Sequence, residues 1–174
     1  MKKKLYIWGS LLLSLVIISF VYYYIDILTF TPLKDKEFKK LFVSYKEIKK
    51  KHSADYIGLS IHSELFEIYL FNTQKVLLDI NYPNYANEWE KEIITNETII
   101  SKWRNCPLDA TDYKRFEFAL TSNDYNQNRY LEAFNTELCD PQNFYSYVYF
   151  NDLEHYFLLY CPRKEKLYYI RMKL

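Results

Sequence analysis

Phe144–Lys173 reads FYSYVYF, ND, LEHYFLLYC, PRKE and KLYYIRMK: three strand-length runs separated by two short polar breaks. The runs are rich in Tyr, Phe, Leu and Ile, which fit a pleated, half-buried surface. Asn151-Asp152 and Pro162-Arg163-Lys164-Glu165 supply turn chemistry between them. The stretch therefore predicts an antiparallel meander of Phe144–Phe150, Leu153–Cys161 and Lys166–Lys173. A two-residue loop at Asn151-Asp152 pairs Phe150 with Leu153, and a four-residue loop pairs Cys161 with Lys166. In that register one face collects Phe144, Val148, Phe150, Leu153, Phe157, Leu159, Ile170 and Met172, with His155 as a core histidine among them. The other collects Tyr145, Tyr147, Tyr149, Tyr156, Leu158, Tyr160 and Tyr169, with Arg171 beside Tyr156. Tyr and Arg enrich interface hot spots, so Tyr145, Tyr147, Tyr149, Tyr156, Tyr169 and Arg171 are the candidate binding residues. Two occupants suit that face: a partner protein, or another layer of the same chain.

Upstream, Tyr130, Leu131, Phe134 and Leu138 predict a helix over 124–138, capped by Asn123 or Asp124. Tyr113–Leu120 reads as a further strand. Residues 83–112 follow neither period; Trp89 and Trp103 anchor a mostly irregular segment there, with a short element near Ile93–Ile100. From Asp55 the period is two: Ile57, Leu59 and Ile61, then Phe66, Ile68 and Leu70, then Val76, Leu78 and Ile80 after an Asn72-Thr73-Gln74-Lys75 turn. A second three-stranded meander over 55–82 follows.

Residues 34–51 hold eight Lys against Asp35, Glu37 and Glu47, a net +5, while 52–174 carry a net −6. Phe38, Leu41, Phe42, Tyr45 and Ile48 recur at helical spacing, and Thr31-Pro32 offers a cap and first turn. A basic amphipathic helix is expected over 31–53. Its stripe either packs on the domain or lies on anionic lipid headgroups. Before it, Leu5–Ile25 is uncharged and follows Lys2, Lys3 and Lys4. As a helix those residues span about 31 Å, the thickness of a bilayer core. Tyr6 and Trp8 at one end and Tyr22, Tyr23 and Tyr24 at the other stand where aromatic belts belong. The run ends in bulky residues rather than a small-residue cleavage site, so an uncleaved signal anchor is expected. The organisation is then a cytoplasmic tail (1–4), a transmembrane segment (5–25), the basic helix (31–53) and an extracytoplasmic α+β domain (54–174).

The whole chain has 174 residues, 49% hydrophobic and 20% aromatic, with a net charge of +1 and only two Gly. This excludes a disordered chain, glycine-rich phosphate loops and an electrostatic nucleic-acid binder. The Lys-, Ile-, Asn- and Tyr-rich composition resembles that of an AT-rich bacterial genome, so the Asn96-Glu97-Thr98 sequon carries no weight. His52, His62, His155, Cys106, Cys139 and Cys161 show no metal-site spacing, so neither metal nor cofactor is expected. Ser60 and His62 share a strand face without the rest of a catalytic triad. Outside the cytoplasm three cysteines imply one disulfide, and the hairpin register brings Cys139 and Cys161 together. Glu88, Glu90 and Glu92 around Trp89 would serve a sugar hydrolase if they converged.

The function expected from these features is a non-catalytic binding module on the outer side of a bacterial inner membrane. It spans the membrane once, N-terminus inside, and engages another protein, as an envelope accessory subunit or an immunity-type protein. An envelope hydrolase and a cytoplasmic-facing domain are the alternatives.

Overall fold

A computed structural model describes residues 2–57, 64–90, 92–117, 120, 129–150 and 154–173, and along the first helix the side chains of 8–22. The chain divides into two compact units, Met1–Thr31 and Pro32–Leu174. The first is the helix α1, Lys2–Thr29. Among the described residues no helix is long and apolar enough to cross a membrane.

The second unit is a mixed α+β domain dominated by antiparallel sheet. Its strands are β1 (Glu47–Asp55), β2 (Leu65–Gln74), β5 (Ile99–Ile100), β6 (Arg104–Asn105), β7 (Phe144–Tyr149), β8 (His155–Cys161) and β9 (Lys166–Lys173), in the order β1-β2-β9-β8-β7 with β5 and β6 both on the outer edge of β7. A separate hairpin pairs β3 (Glu88–Trp89) with β4 (Glu92–Ile93). Since β9 sits between β2 and β8, the two ends of the domain must meet before the sheet exists.

Both faces of the sheet are buried. Phe66, Ile68, Leu70, Tyr145, Tyr147, Phe157, Leu159, Tyr168 and Ile170 form one face. The helix α4 (Arg129–Leu138) packs on it through Leu131, Phe134 and Leu138, and Phe116 follows the helix α3 (Ala110–Arg115) onto the same layer. Tyr69, Phe71, Tyr156, Leu158, Tyr160, Leu167 and Tyr169 form the other face. Over them lie the helix α2 (Asp35–Leu41) and the segment carrying Tyr85, Trp89 and Trp103. Phe38 meets Phe71 edge-on at 5.2 Å, and Phe42 meets Tyr160 at 5.3 Å. Phe42 also stacks on Trp103 at 5.8 Å, whose indole donates to Leu41 O at 3.0 Å. The two tryptophans are anchors, as expected. The covering layer is the α2 stripe, the second of the two occupants named for that face.

The β8–β9 register is the expected one, Cys161 opposite Lys166. The β7–β8 register is shifted by one: Phe144 pairs with Tyr160 and Tyr149 with His155. A one-residue shift moves every β7 side chain to the other face. Tyr145, Tyr147 and Tyr149 therefore join Phe157 and Leu159, while Val148 and Phe150 join Tyr156 and Leu158. Tertiary partners hold this register. Asp112 in α3 accepts from Tyr145 OH (2.9 Å), Tyr147 OH (2.8 Å), Arg104 Nη1 (2.9 Å) and Arg115 Nη1 (2.8 Å). On the opposite side Ser146 is small enough to receive Tyr85 OH at 2.6 Å. The expected loop residues Asn151-Asp152 lie outside the described residues.

Three other expectations are corrected. The basic segment is helical only over Asp35–Leu41, where Lys34 N–H is capped by Glu37 Oε2 at 3.1 Å. From Glu47 it is strand, because pairing along the whole length of β2 outweighs a short run of helical spacing. The meander over 55–82 loses its third strand, since β1 and β9 already occupy both edges of β2. Val76–Ile80 retains one bridge, Leu77 to Ser44. The first strand expected there, Asp55–His62, lies outside the described residues beyond Ile57. Tyr113–Glu117 and Leu120, the described part of the strand expected over Tyr113–Leu120, are not strand: Asp109 Oδ1 accepts from Thr111 N–H (2.9 Å) and Asp112 N–H (2.8 Å), an N-cap that starts α3 just upstream.

Replacing Asp112 by Ala leaves two tyrosine hydroxyls and two guanidinium groups without their buried acceptor. The expected loss is about 3 kcal/mol in urea unfolding, with Asp112→Asn losing less.

Candidate functional site

The six candidate binding residues do not share one exposed face. Tyr145 and Tyr147 lie under α3, bound to Asp112, and half-buried Tyr149 stacks on His155 at 3.9 Å. Burial, with the Asp112 carboxylate second, pushes both phenols up to about 12. Tyr156, Tyr169 and Arg171 lie on the opposite face, and the two tyrosines are fully buried. This corrects the expectation of a tyrosine-lined docking face: the register shift splits the set, and a chain layer covers each half.

Tyr156, Tyr169 and Arg171 belong instead to a polar cluster inside the domain. Arg171 holds Glu154 with two hydrogen bonds of 2.6 Å, from Nε to Oε2 and from Nη2 to Oε1, and its Nη1 lies 3.5 Å from Glu67 Oε2. Tyr156 OH donates to Glu154 Oε2 at 2.7 Å, and Tyr69 OH to Glu67 Oε2 at 2.5 Å. Burial alone would raise the Glu154 carboxyl, but Arg171 and Tyr156 hold it below the usual range. Glu67, deeper and more weakly paired, is raised by burial despite Tyr69 and Arg171.

Glu90 enters the cluster from the β3–β4 turn with a left-handed backbone, φ 54°. Its Oε1 lies 3.5 Å from Tyr169 OH. Burial pushes its carboxyl up to about 7, and the nearby Glu37 carboxylate adds to this against the opposing pull of Arg171 and Lys36. Glu37 is itself fully buried and ion-paired with Lys36 at 3.2 Å. Two carboxylates, Glu154 and Glu67, thus contact the guanidinium, and Glu90 lies near enough to feel its charge.

The sequence signal for this cluster is a carboxylate two residues before a tyrosine on a strand. Glu67-x-Tyr69 and Glu154-x-Tyr156 both show it, beside Tyr169-x-Arg171 on the strand between them. Strand period two puts each pair on one face, and the repetition marks a buried polar layer rather than a wet surface.

The loop carboxylates do not converge. Glu90 is buried, whereas Glu88 is exposed and reaches Lys40 at 3.6 Å, and Glu92 sits across the hairpin from Trp89. His52 stacks on Tyr130 at 3.7 Å, and burial lowers its pKa. Ser60 and His62 lie outside the described residues. No group of three or more potential ligands that could hold a metal occurs among the described residues.

All three cysteines are free thiols, so the expected Cys139–Cys161 bridge is not formed. The shifted register brings residue 143, not 142, level with Cys161. Cys161 is buried under the α4 layer, while exposed Cys139 turns its Sγ to Asn135 O at 3.5 Å. Burial pushes the Cys106 thiol up to about 12 and raises Cys161 further still, so neither is a ready nucleophile.

Two measurements check these assignments. Maleimide should modify one thiol, Cys139, in the native protein and three in denaturant. Glu90 keeps its proton in the fold up to about pH 7, whereas in the unfolded chain it ionises near 4.5, so the stability it contributes at low pH is lost as pH rises between those values. Glu90→Gln should therefore match the native protein near pH 4.5 and exceed it by up to about 3 kcal/mol at pH 8. No family model matches this chain, and neither does any curated protein or solved structure.

Proposed function

We propose that the chain is a membrane-anchored, non-catalytic binding module, with α1 in the bilayer and the domain on the outer side of a bacterial inner membrane. The observation that carries this is α1. Leu11, Leu12, Leu13, Leu15, Val16, Ile17 and Ile18 are each at least half exposed. Residues at 100° intervals so close in sequence point in every direction, so the helix has no polar side to turn to water. Lipid is the surrounding that suits it, and the uncharged run Leu5–Ile25 has the length a bilayer needs. Lys2, Lys3 and Lys4 favour a cytoplasmic N-terminus.

A non-catalytic role is supported by how the domain uses its ionisable groups. Asp112 is engaged by four donors, and Glu154 and Arg171 hold each other in a bidentate pair. Side chains committed to holding layers together are poor candidates for a reaction cycle. The partner class that fits is another protein, as for an envelope accessory subunit or an immunity-type protein. Free thiols are compatible with an oxidising compartment, because burial protects Cys106 and Cys161.

The full-length protein should remain in the membrane fraction through alkaline carbonate washing. A reporter fused after Leu174 should be active only outside the cytoplasm. Release by carbonate would overturn the anchor, and a reporter active only in the cytoplasm would reverse the orientation.

A further inference from the structure

Beyond α1, the described residues expose seven large apolar side chains, and three of them, Val43, Leu77 and Ile80, each more than two-fifths exposed, lie on the two chain segments that continue past one end of the β1–β2 ladder. There the chain following α2 runs antiparallel to the chain following β2. Val43 N–H donates to Leu77 O (3.1 Å), Leu77 N–H to Ser44 O (2.7 Å) and Lys46 N–H to Gln74 O (2.9 Å). The Ser44–Leu77 bridge keeps the register of Glu47–Gln74, so the ladder continues past the sheet. Ile80 follows in a turn closed by Tyr82 N–H on Asp79 O at 3.0 Å.

Lys46 and Lys75 lie between the Glu47–Gln74 pair and the Ser44–Leu77 bridge, Lys75 with a left-handed backbone, φ 48°. Both are exposed, and neither has a carboxylate partner among the described residues, nor do Lys50 and Lys51 along β1. By contrast Lys39, Lys40 and Lys49 are paired with Asp35, Glu88 and Glu47. Of the carboxylates nearest in sequence, Glu47 is held by Lys49 at 2.8 Å and Asp79 accepts from Asn81 N–H at 2.8 Å. Unpaired cations set among uncovered aliphatic side chains are a poor match for water. They suit an anionic lipid surface, where ammonium groups meet phosphates and aliphatic chains enter below them.

We propose that the Val43–Leu77–Ile80 end of the domain docks on anionic phospholipid of the membrane that α1 enters; this rests on the anchor reading. Val43 follows the end of α1 by fourteen residues, a reach of at most about 50 Å. A tethered site meets lipid at high effective concentration, so a small surface suffices.

The test uses the full-length protein with Cys139→Ser and a nitroxide on Leu77→Cys, reconstituted into phosphatidylcholine vesicles with and without phosphatidylglycerol. Flotation reports anchoring, and collision with oxygen against a water-soluble nickel complex reports depth. Phosphatidylglycerol should cut nickel accessibility several-fold. A Lys46→Glu, Lys75→Glu variant should float equally but return the label to its accessibility in pure phosphatidylcholine, with an unchanged circular dichroism spectrum. Floating protein whose label stays equally wet in both lipids overturns docking alone. Protein that fails to float overturns the anchor and docking with it. A label already protected in detergent without lipid points to a second copy on this end and overturns lipid as the occupant.

Discussion

The Asp112 carboxylate receives two tyrosine hydroxyls and two guanidinium groups where water has almost no access, so the strand supplying the tyrosines can hold only one register. That register determines what both layers meet. With Tyr145 and Tyr147 under α3, Ser146 and Val148 face the other way, and Ser146 leaves the room that Tyr85 fills. Shifting β7 by one residue would bury three aromatic rings in the layer where Ser146 now makes space. It would also strand a carboxylate among apolar side chains, a cost far above that of any turn preference. The α3 cap belongs to the same arrangement, because Asp109 fixes the helix start that presents Asp112 to the sheet.

Strand existence in the C-terminal third was legible because its signals are local: alternating aromatic runs, an Asn-Asp break, and a proline-led four-residue turn. The β8–β9 register was legible for the same reason, since Pro162–Glu165 sets it within one hairpin. The β7–β8 register depends on Asp112, more than thirty residues upstream, and nothing in the hairpin itself encodes that contact. The change of Glu47–Ser53 from expected helix to strand is of the same kind. Its spacing suits either structure, and β2, with an edge to fill, decides. The Glu-x-Tyr pairs were readable in principle, because a carboxylate within an apolar strand run has to be matched by something.

The polar layer around Arg171 gives the domain a different internal chemistry on its two faces. Under α3 and α4 the contacts are mostly rings and aliphatic chains, with Asp112 as the fully engaged polar centre. Under α2 an excess of carboxylates is balanced by one arginine, a peripheral lysine and a retained proton. Arg171 is therefore not interchangeable with lysine, whose single ammonium cannot make the two-pronged contact with Glu154 while also facing Glu67. Packing α2 over this layer covers charge that would otherwise favour water. It also explains how a sheet face so rich in tyrosine is spent on the fold.

The sheet is also difficult to extend sideways. On one margin β1 carries three consecutive lysines, Lys49–Lys51, and an irregularity in its pairing between Lys50 and His52. On the other, β5 and β6 are two-residue strands separated by Ser101–Trp103, too short to template a neighbour. Repelling charge and a broken margin are how native sheets avoid recruiting strands from other molecules. For a protein this rich in aromatic and β-branched residues the consequence is colloidal. Copies can be concentrated, with frequent collisions, without the sheets fusing into a growing cross-β stack.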